Sequence, residues 1–274
     1  MNETEPVRPA RTPAGLQFSL FGFPTRIDAS FLLIVALIGF DGTASHLGIW
    51  VALAVAAVLG HELGHALAAR RMGATATISL QGLGGLTRSR RDEPLSRGES
   101  AILSVAGPAA GILLGLPVLW AIHATGWDSW TTGGYVLRTA AFTTLGWSAL
   151  NLLPIIPLDG GHLLELALPG TPAARRRLAA QLSIGLAAGA GVVAYRAGMQ
   201  YAALLALMFG AQNLAILKQE QAARPPVPRL SPTQAAQVLL QPLPPRPPQA
   251  PPSGPPADPA IDPRPEPTAP SGEA

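Results

Sequence analysis

The stretch from Val51 to Arg70, VALAVAAVLGHELGHALAAR, has the length and apolarity of a membrane-crossing helix, yet it carries His61, Glu62 and His65. Ionisable groups are expensive at membrane depth, and there they mark functional sites. Residues four apart share one face of a helix, so His61 and His65 offer two imidazoles to a single ion. Glu62, one position on from His61, reaches water held beside that ion. Two ligands and a base are the working parts of a zinc hydrolase. The pattern HExxH alone is short enough to recur as the polar face of a soluble bundle, and the apolar setting weakens that reading.

The rest of the composition points the same way. Of 274 residues, 48% are hydrophobic and 13% charged, with a mean hydropathy of +0.30, as in a multispanning membrane protein. Cysteine is absent, so disulfides and thiolate ligands are excluded and a metal must rest on His, Asp or Glu. A formal charge of +3 and a pI near 9.9 do not indicate nucleic acid, because the arginines lie between apolar runs instead of on one soluble module. That spacing is the Lys and Arg bias of cytoplasmic loops.

Taken in order, residues 1–15 are polar and Pro-containing, show no signal-peptide pattern and predict a flexible arm. Leu16 to Ile27 predicts a short strand or interfacial segment. Apolar runs at Ala29–Phe40, His46–Ala69, Glu99–His123, Tyr135–Ile156, Gln181–Tyr195 and Tyr201–Leu217 predict about six spans. Between the second and third, TATISLQGLGGLTRS is rich in Thr, Ile and Gly, which predicts a β-hairpin or re-entrant loop. Gly107-Pro108 interrupts the third span and allows a neighbouring helix to come close. Trp127 and Trp130 suit a membrane interface. Arginines after the second and fourth spans put both termini, HELGH and the later LDGG towards the cytoplasmic side of the cell membrane. Residues 222–274, dominated by Pro, predict an extended tail; such runs are able to dock onto SH3-like or WW-like modules, although most are tethers.

Two histidines leave a catalytic zinc site incomplete, since such sites use three protein ligands. The best third candidate is Asp159, in Pro157-Leu158-Asp159-Gly160-Gly161, where an apolar run ends and two glycines permit a tight backbone path. Taken alone, a DGG triplet is an ordinary turn; its pairing with HELGH carries the inference.

His61, Glu62 and His65, with Asn151-Leu152-Leu153-Pro154 and Pro157-Leu158-Asp159-Gly160-Gly161, make the chain resemble the site-2 protease family of intramembrane zinc metalloproteases (peptidase family M50). Gly82-Leu83-Gly84-Gly85 and Ala106-Gly107-Pro108 add weaker support. The resemblance covers roughly residues 16–217. It implies one zinc ion per chain on His61, His65 and Asp159, with Glu62 as general base. Asn151 would lie beside the substrate, a role to weigh against a plain helix-end hydrogen bond; Gly84 and Gly85 belong to the glycine-rich loop that would line it. Family members often carry Asn shortly after the AGP step, where this chain has Ala109, Ala110 and Gly111, and no stretch is long enough for a PDZ or CBS domain.

The expected protein is thus an all-α polytopic membrane protein with a short β-rich segment. It comprises an arm (1–15), a membrane-embedded metalloprotease domain (16–221) and a Pro-rich tail (222–274). The implied activity is hydrolysis of peptide bonds in or near transmembrane segments, in regulated intramembrane proteolysis. The implied substrate is a single-span membrane protein of the anti-sigma factor or membrane-tethered regulator type. The lipid bilayer is the other partner, and nucleic acid is not one. Two other readings stay open: an ion or metal transporter using the same His, Glu and Asp cluster, and an inactive relative acting as scaffold. His162, next to LDGG, fits a solvated position better than one orienting Asp159, and His46 and His123 read as loop residues at the opposite membrane edge.

Overall fold

Chain entry is set by turn chemistry. In the computed structural model, which describes residues 15–39, 42–126 and 131–222, β1 (Gly15–Leu20) and β2 (Phe23–Asp28) pair antiparallel across Phe21-Gly22. Both turn residues have positive φ, 49° and 85°, the backbone of a two-residue turn whose twist matches that of its strands. The alternation in LQFSLFGFPTRI therefore encodes a whole hairpin. The second hairpin, β3 (Thr75–Gln81) and β4 (Gly84–Arg90), turns at Gly82-Leu83. Parallel pairing of β2 with β3 joins the two into one sheet of order β1-β2-β3-β4. The expected β-rich segment is thus half of a four-stranded mixed sheet, and the other half comes from the N-terminal hairpin, fifty residues away by sequence and invisible to local periodicity.

One sheet face is apolar. Phe23 and Ile27 of β2 and Ala76, Ile78 and Leu80 of β3 pack with Phe31 of α1 (Ala29–Gly39) and with Val58, Ala66 and Ala69 of α2 (Ala44–Arg71). This core presses the sheet onto the helix that carries HELGH.

Among the described residues, four helices are long and apolar enough to cross a membrane: α2, α3 (Arg97–Thr125), α7 (Pro172–Arg196) and α8 (Gln200–Ala222). Large side chains on them point outward, Leu113 at 70% and Trp120 at 72% exposure, as a lipid-facing surface requires and a water-facing one would not tolerate in such number. The six expected spans are present only in part. The first is an 11-residue helix, about 16 Å long against a hydrocarbon core of ~30 Å. The fourth is one continuous helical run made of α4 (Thr132–Ala141), a π-helical turn (Phe142–Gly146) and α5 (Trp147–Asn151), which ends in an irregular stretch before α6 (Asp159–Ala167).

Boundaries move by a few residues. Gly15 already belongs to β1, and Ala222 still belongs to α8. Arg175, Arg176 and Arg177 lie in the first turns of α7 and not in a loop. α3 opens on a capping box of Ser96 and Glu99, with Arg91 donating to Glu99 at 2.7 Å. His46 lies in α2, stacked on Tyr135, and His123 in α3, so both are helical. The expected arm before Gly15, Trp127, Trp130 and the Pro-rich tail from residue 223 lie outside the described residues.

Candidate metal centre

Helix α2 places His61 and His65 one turn apart, and α6 begins at Asp159, directly beside them. His61 Nε2 lies 3.1 Å from Asp159 Oδ2, His65 Nε2 lies 3.4 Å from the same oxygen, and the two Nε2 atoms are 3.2 Å apart. Three atoms bound tetrahedrally to zinc at about 2.0–2.1 Å would stand roughly 3.3 Å from one another. The donors thus form one face of a zinc coordination tetrahedron, and among the described residues they are the one cluster able to hold a metal ion. Their chemistry, two imidazoles and a carboxylate without thiolate, suits a catalytic zinc ion, whose fourth position is left to water.

One ligand is held from behind by a hydrogen bond, and another by packing. His65 Nδ1–H donates to the Leu103 carbonyl at 2.7 Å, which leaves Nε2 unprotonated and free to bind. Pro108, buried in α3, has no N–H for the Ser104 carbonyl, so this turn of helix is already loosened where His65 docks. His61 is 2% exposed, its ring edge-on to Trp147.

Space for the centre is made by glycine. A Cβ on Gly107 would strike His65 Nε2 and stand 2.7 Å from His61 Nε2, and one on Gly64 would strike the Ala106 carbonyl. These two positions let α2 and α3 approach with the histidines between them. Gly160 and Gly161 act likewise: a Cβ on either would run into the backbone of Leu152, Leu153, Ile155 or Ile156. Neither is among the glycines of positive φ. LDGG therefore works by close helix packing, where its sequence read as a tight turn.

Glu62 is 4% exposed and faces β4. The Thr87 hydroxyl donates to its Oε2 at 2.7 Å, and Gly85 lies so close that a Cβ would overlap the carboxylate. Gly84 packs on Trp147. The glycine-rich loop is thus brought to the glutamate. Asn151 is buried and its amide donates to the Trp147 carbonyl at 2.9 Å, the helix-end bond. His162 is exposed. Thr87, Leu103 and the exact use of Gly107 had no signature in the sequence: a lone Thr in a strand or a backbone carbonyl has no residue pattern to read.

No family model matches the chain. A Synechocystis sp. protein named as a zinc metalloprotease is 33% identical over 162 residues, 54% of this chain and 42% of that protein. A zinc metalloprotease of Methanocaldococcus jannaschii is 30% identical over 156 residues, 55% of this chain and 44% of the relative. The chain spans less than half the length of these two relatives. The solved site-2 protease from Methanocaldococcus jannaschii aligns at a TM-score of 0.54 and 22% identity, covering 80% of this chain and 99% of that one. The chain is related to zinc metalloproteases and has the site-2 protease fold. Both findings support the resemblance drawn from HELGH and NLLPIIPLDGG, and zinc as the metal that suits His61, His65 and Asp159. The irregular stretch between Asn151 and Asp159 is what brings the carboxylate of α6 to the histidines of α2.

Proposed function

We propose that the chain is an intramembrane zinc metalloprotease that hydrolyses peptide bonds in or near the transmembrane segments of membrane proteins. The observation that carries this is the convergence of His61, His65 and Asp159 at zinc-ligand spacing beside a buried Glu62, inside a helix built to cross a membrane. His61 lies ten residues before Arg71, or about 15 Å of helix, so the centre falls inside the hydrocarbon layer on the arginine side. Arg70, Arg71, Arg88, Arg90 and Arg91 at that end support a cytoplasmic opening.

One zinc ion held by the three ligands would polarise the scissile carbonyl and lower the pKa of water. Glu62 takes the proton from the attacking water and passes it to the leaving amine. Thr87 holds that carboxylate on the β4 side, and the α2–α3 contact at Gly64 and Gly107 excludes bulk water from behind the histidines. β4 is an edge of the sheet, and its Gly84-Gly85 end adjoins Glu62. A substrate segment unwound from its helix pairs with that edge by β-addition, which exposes the peptide carbonyls that a helix hides. A single-span membrane protein fits this geometry, and regulated intramembrane proteolysis of a membrane-tethered regulator is the process it would serve.

The test is cleavage of a co-expressed single-span substrate. Glu62→Gln is expected to keep zinc and lose cleavage, whereas His65→Ala and Asp159→Ala lose both. Full cleavage by Glu62→Gln refutes the mechanism, and zinc uptake coupled to transport without cleavage by the wild type would favour the transporter reading.

A further inference from the structure

Asp159 follows an irregular stretch, Leu152 to Leu158, in which Ile155, Ile156 and Leu158 are buried. One residue of that stretch, Ile156, has the two peptide groups that flank it held by side chains of different helices. The Ile156 N–H donates to Ser183 Oγ of α7 at 3.0 Å, and the Ile156 carbonyl accepts from Asn213 Nδ2 of α8 at 2.6 Å. Ser183 and Asn213 are both 0% exposed. Each is itself tied to its own helix, Ser183 donating to the Ala179 carbonyl at 2.7 Å and Asn213 to the Phe209 carbonyl at 2.8 Å. Two carbonyl acceptors fix which way the Asn213 amide faces.

We propose that Ser183 and Asn213 are positioning residues for the metal centre, clamping Ile156 so that Asp159 meets His61 and His65 at binding distance. The clamp reaches Asp159 through a short rigid path. Leu158 N–H bonds the Ile155 carbonyl at 2.8 Å, Gly161 N–H bonds the Leu158 carbonyl at 2.9 Å, Gly161 lies against the Ile155–Ile156 peptide, and Gly160 lies against the Leu152 and Leu153 carbonyls. A shift of Ile156 therefore carries the start of α6 with it.

The chemistry argues for position over mere cohesion. Two transmembrane helices pack well with small apolar residues alone, and α7 and α8 do so at Ala187, Gly191, Ala206 and Gly210. Asn213 is a poor filler by comparison, since its Oδ1 is buried without a partner, an arrangement that costs stability. Such a residue is justified by what it aims at, and both it and Ser183 aim at the backbone of one residue, Ile156, three positions before a ligand. Partners that orient metal ligands typically change metal affinity about 10–100-fold when removed.

The proposal rests on His61, His65 and Asp159 being the metal site, so its test reads the metal directly. Full-length Ser183→Ala, Ser183→Thr and Asn213→Leu chains are purified in detergent, titrated with zinc against a competing chelator, and loaded with cobalt for visible spectra. Ser183→Ala and Asn213→Leu are expected to weaken zinc binding by about 10–100-fold and to alter the cobalt ligand-field bands. Ser183→Thr, which keeps the hydroxyl, is expected to restore both. Should Asn213→Leu fail to fold, Ser183→Ala, a loss of a single oxygen, decides alone. Variants that bind zinc as tightly as wild type with unchanged cobalt bands, even at lower thermal stability, overturn the proposal and leave the metal-site reading intact. A wild-type chain that binds no zinc overturns both.

Discussion

Replacing Gly107 by Ala adds one methyl group at the wall of the metal centre. That methyl would stand 2.6 Å from His65 Cε1 and 2.7 Å from His61 Nε2, and closer still to His65 Nε2. Ordinary carbon contacts settle at about 3.5–4.0 Å, so the rings or the helix must withdraw by roughly 1 Å. Zinc sites hold their ligand distances to within about 0.2 Å. The required movement is several times that tolerance. Separation of α2 from α3 would relieve the clash, but it would also stretch the His65 bond to the Leu103 carbonyl, now 2.7 Å, and open the contact between Gly64 and Ala106. Zinc affinity should therefore fall by at least the ~10–100-fold seen when ligand orientation is disturbed, and cleavage should fall with it. Ala is favoured over Gly within a helix by about 1 kcal/mol, so loss of helicity cannot be the cause. The assay is competition for zinc with a chromophoric chelator in detergent, alongside helical content and cleavage of a single-span substrate. Gly98→Ala serves as control, because nothing lies within 4 Å of its added methyl in the same helix. Gly107→Ala binding zinc with wild-type affinity would refute the account of the centre's geometry.

Thr87→Val removes the hydroxyl that donates to Glu62 while keeping shape; turnover should drop about tenfold, or roughly 1.4 kcal/mol, with zinc content unchanged, and equal kcat for variant and wild type would show that Thr87 does not orient the base. Stripping the metal with a chelator should abolish cleavage reversibly and leave circular dichroism unaltered, because the helices are held by packing and by the bilayer; activity persisting in protein verified to be zinc-free would exclude the metalloprotease reading.

Much of the catalytic layout was legible before any coordinates, for a physical reason. His61 and His65 share a helix, so their geometry follows from 3.6 residues per turn, and their cost in an apolar run announces a use. Asp159 could be named as the missing ligand because a zinc site needs a third donor and cysteine is absent. The four long helices were legible too, since length and apolarity are properties of composition. The first and fourth expected spans were less legible in detail: the first is an 11-residue helix and the fourth carries a π-helical turn before its irregular end, and hydropathy reports apolarity without helix length or regularity. The residues Leu16 to Asp28 carried a hairpin in their alternation, but nothing in them revealed that β2 would pair with β3 across the intervening helices.

Sequence by itself determined the candidate metal donors, the carboxylate beside them and the apolar character of the long helices, because each depends on side-chain chemistry or on periodicity within one segment. Tertiary structure alone decided that Gly107 and Gly85 are the walls of the centre, that Leu103 and Thr87 hold a ligand and the base, and that Ile156 is gripped by Ser183 and Asn213. Those relations join residues tens of positions apart through backbone groups and single methyl-sized gaps. Backbone is identical at every position, and a gap is defined only by what lies on its other side.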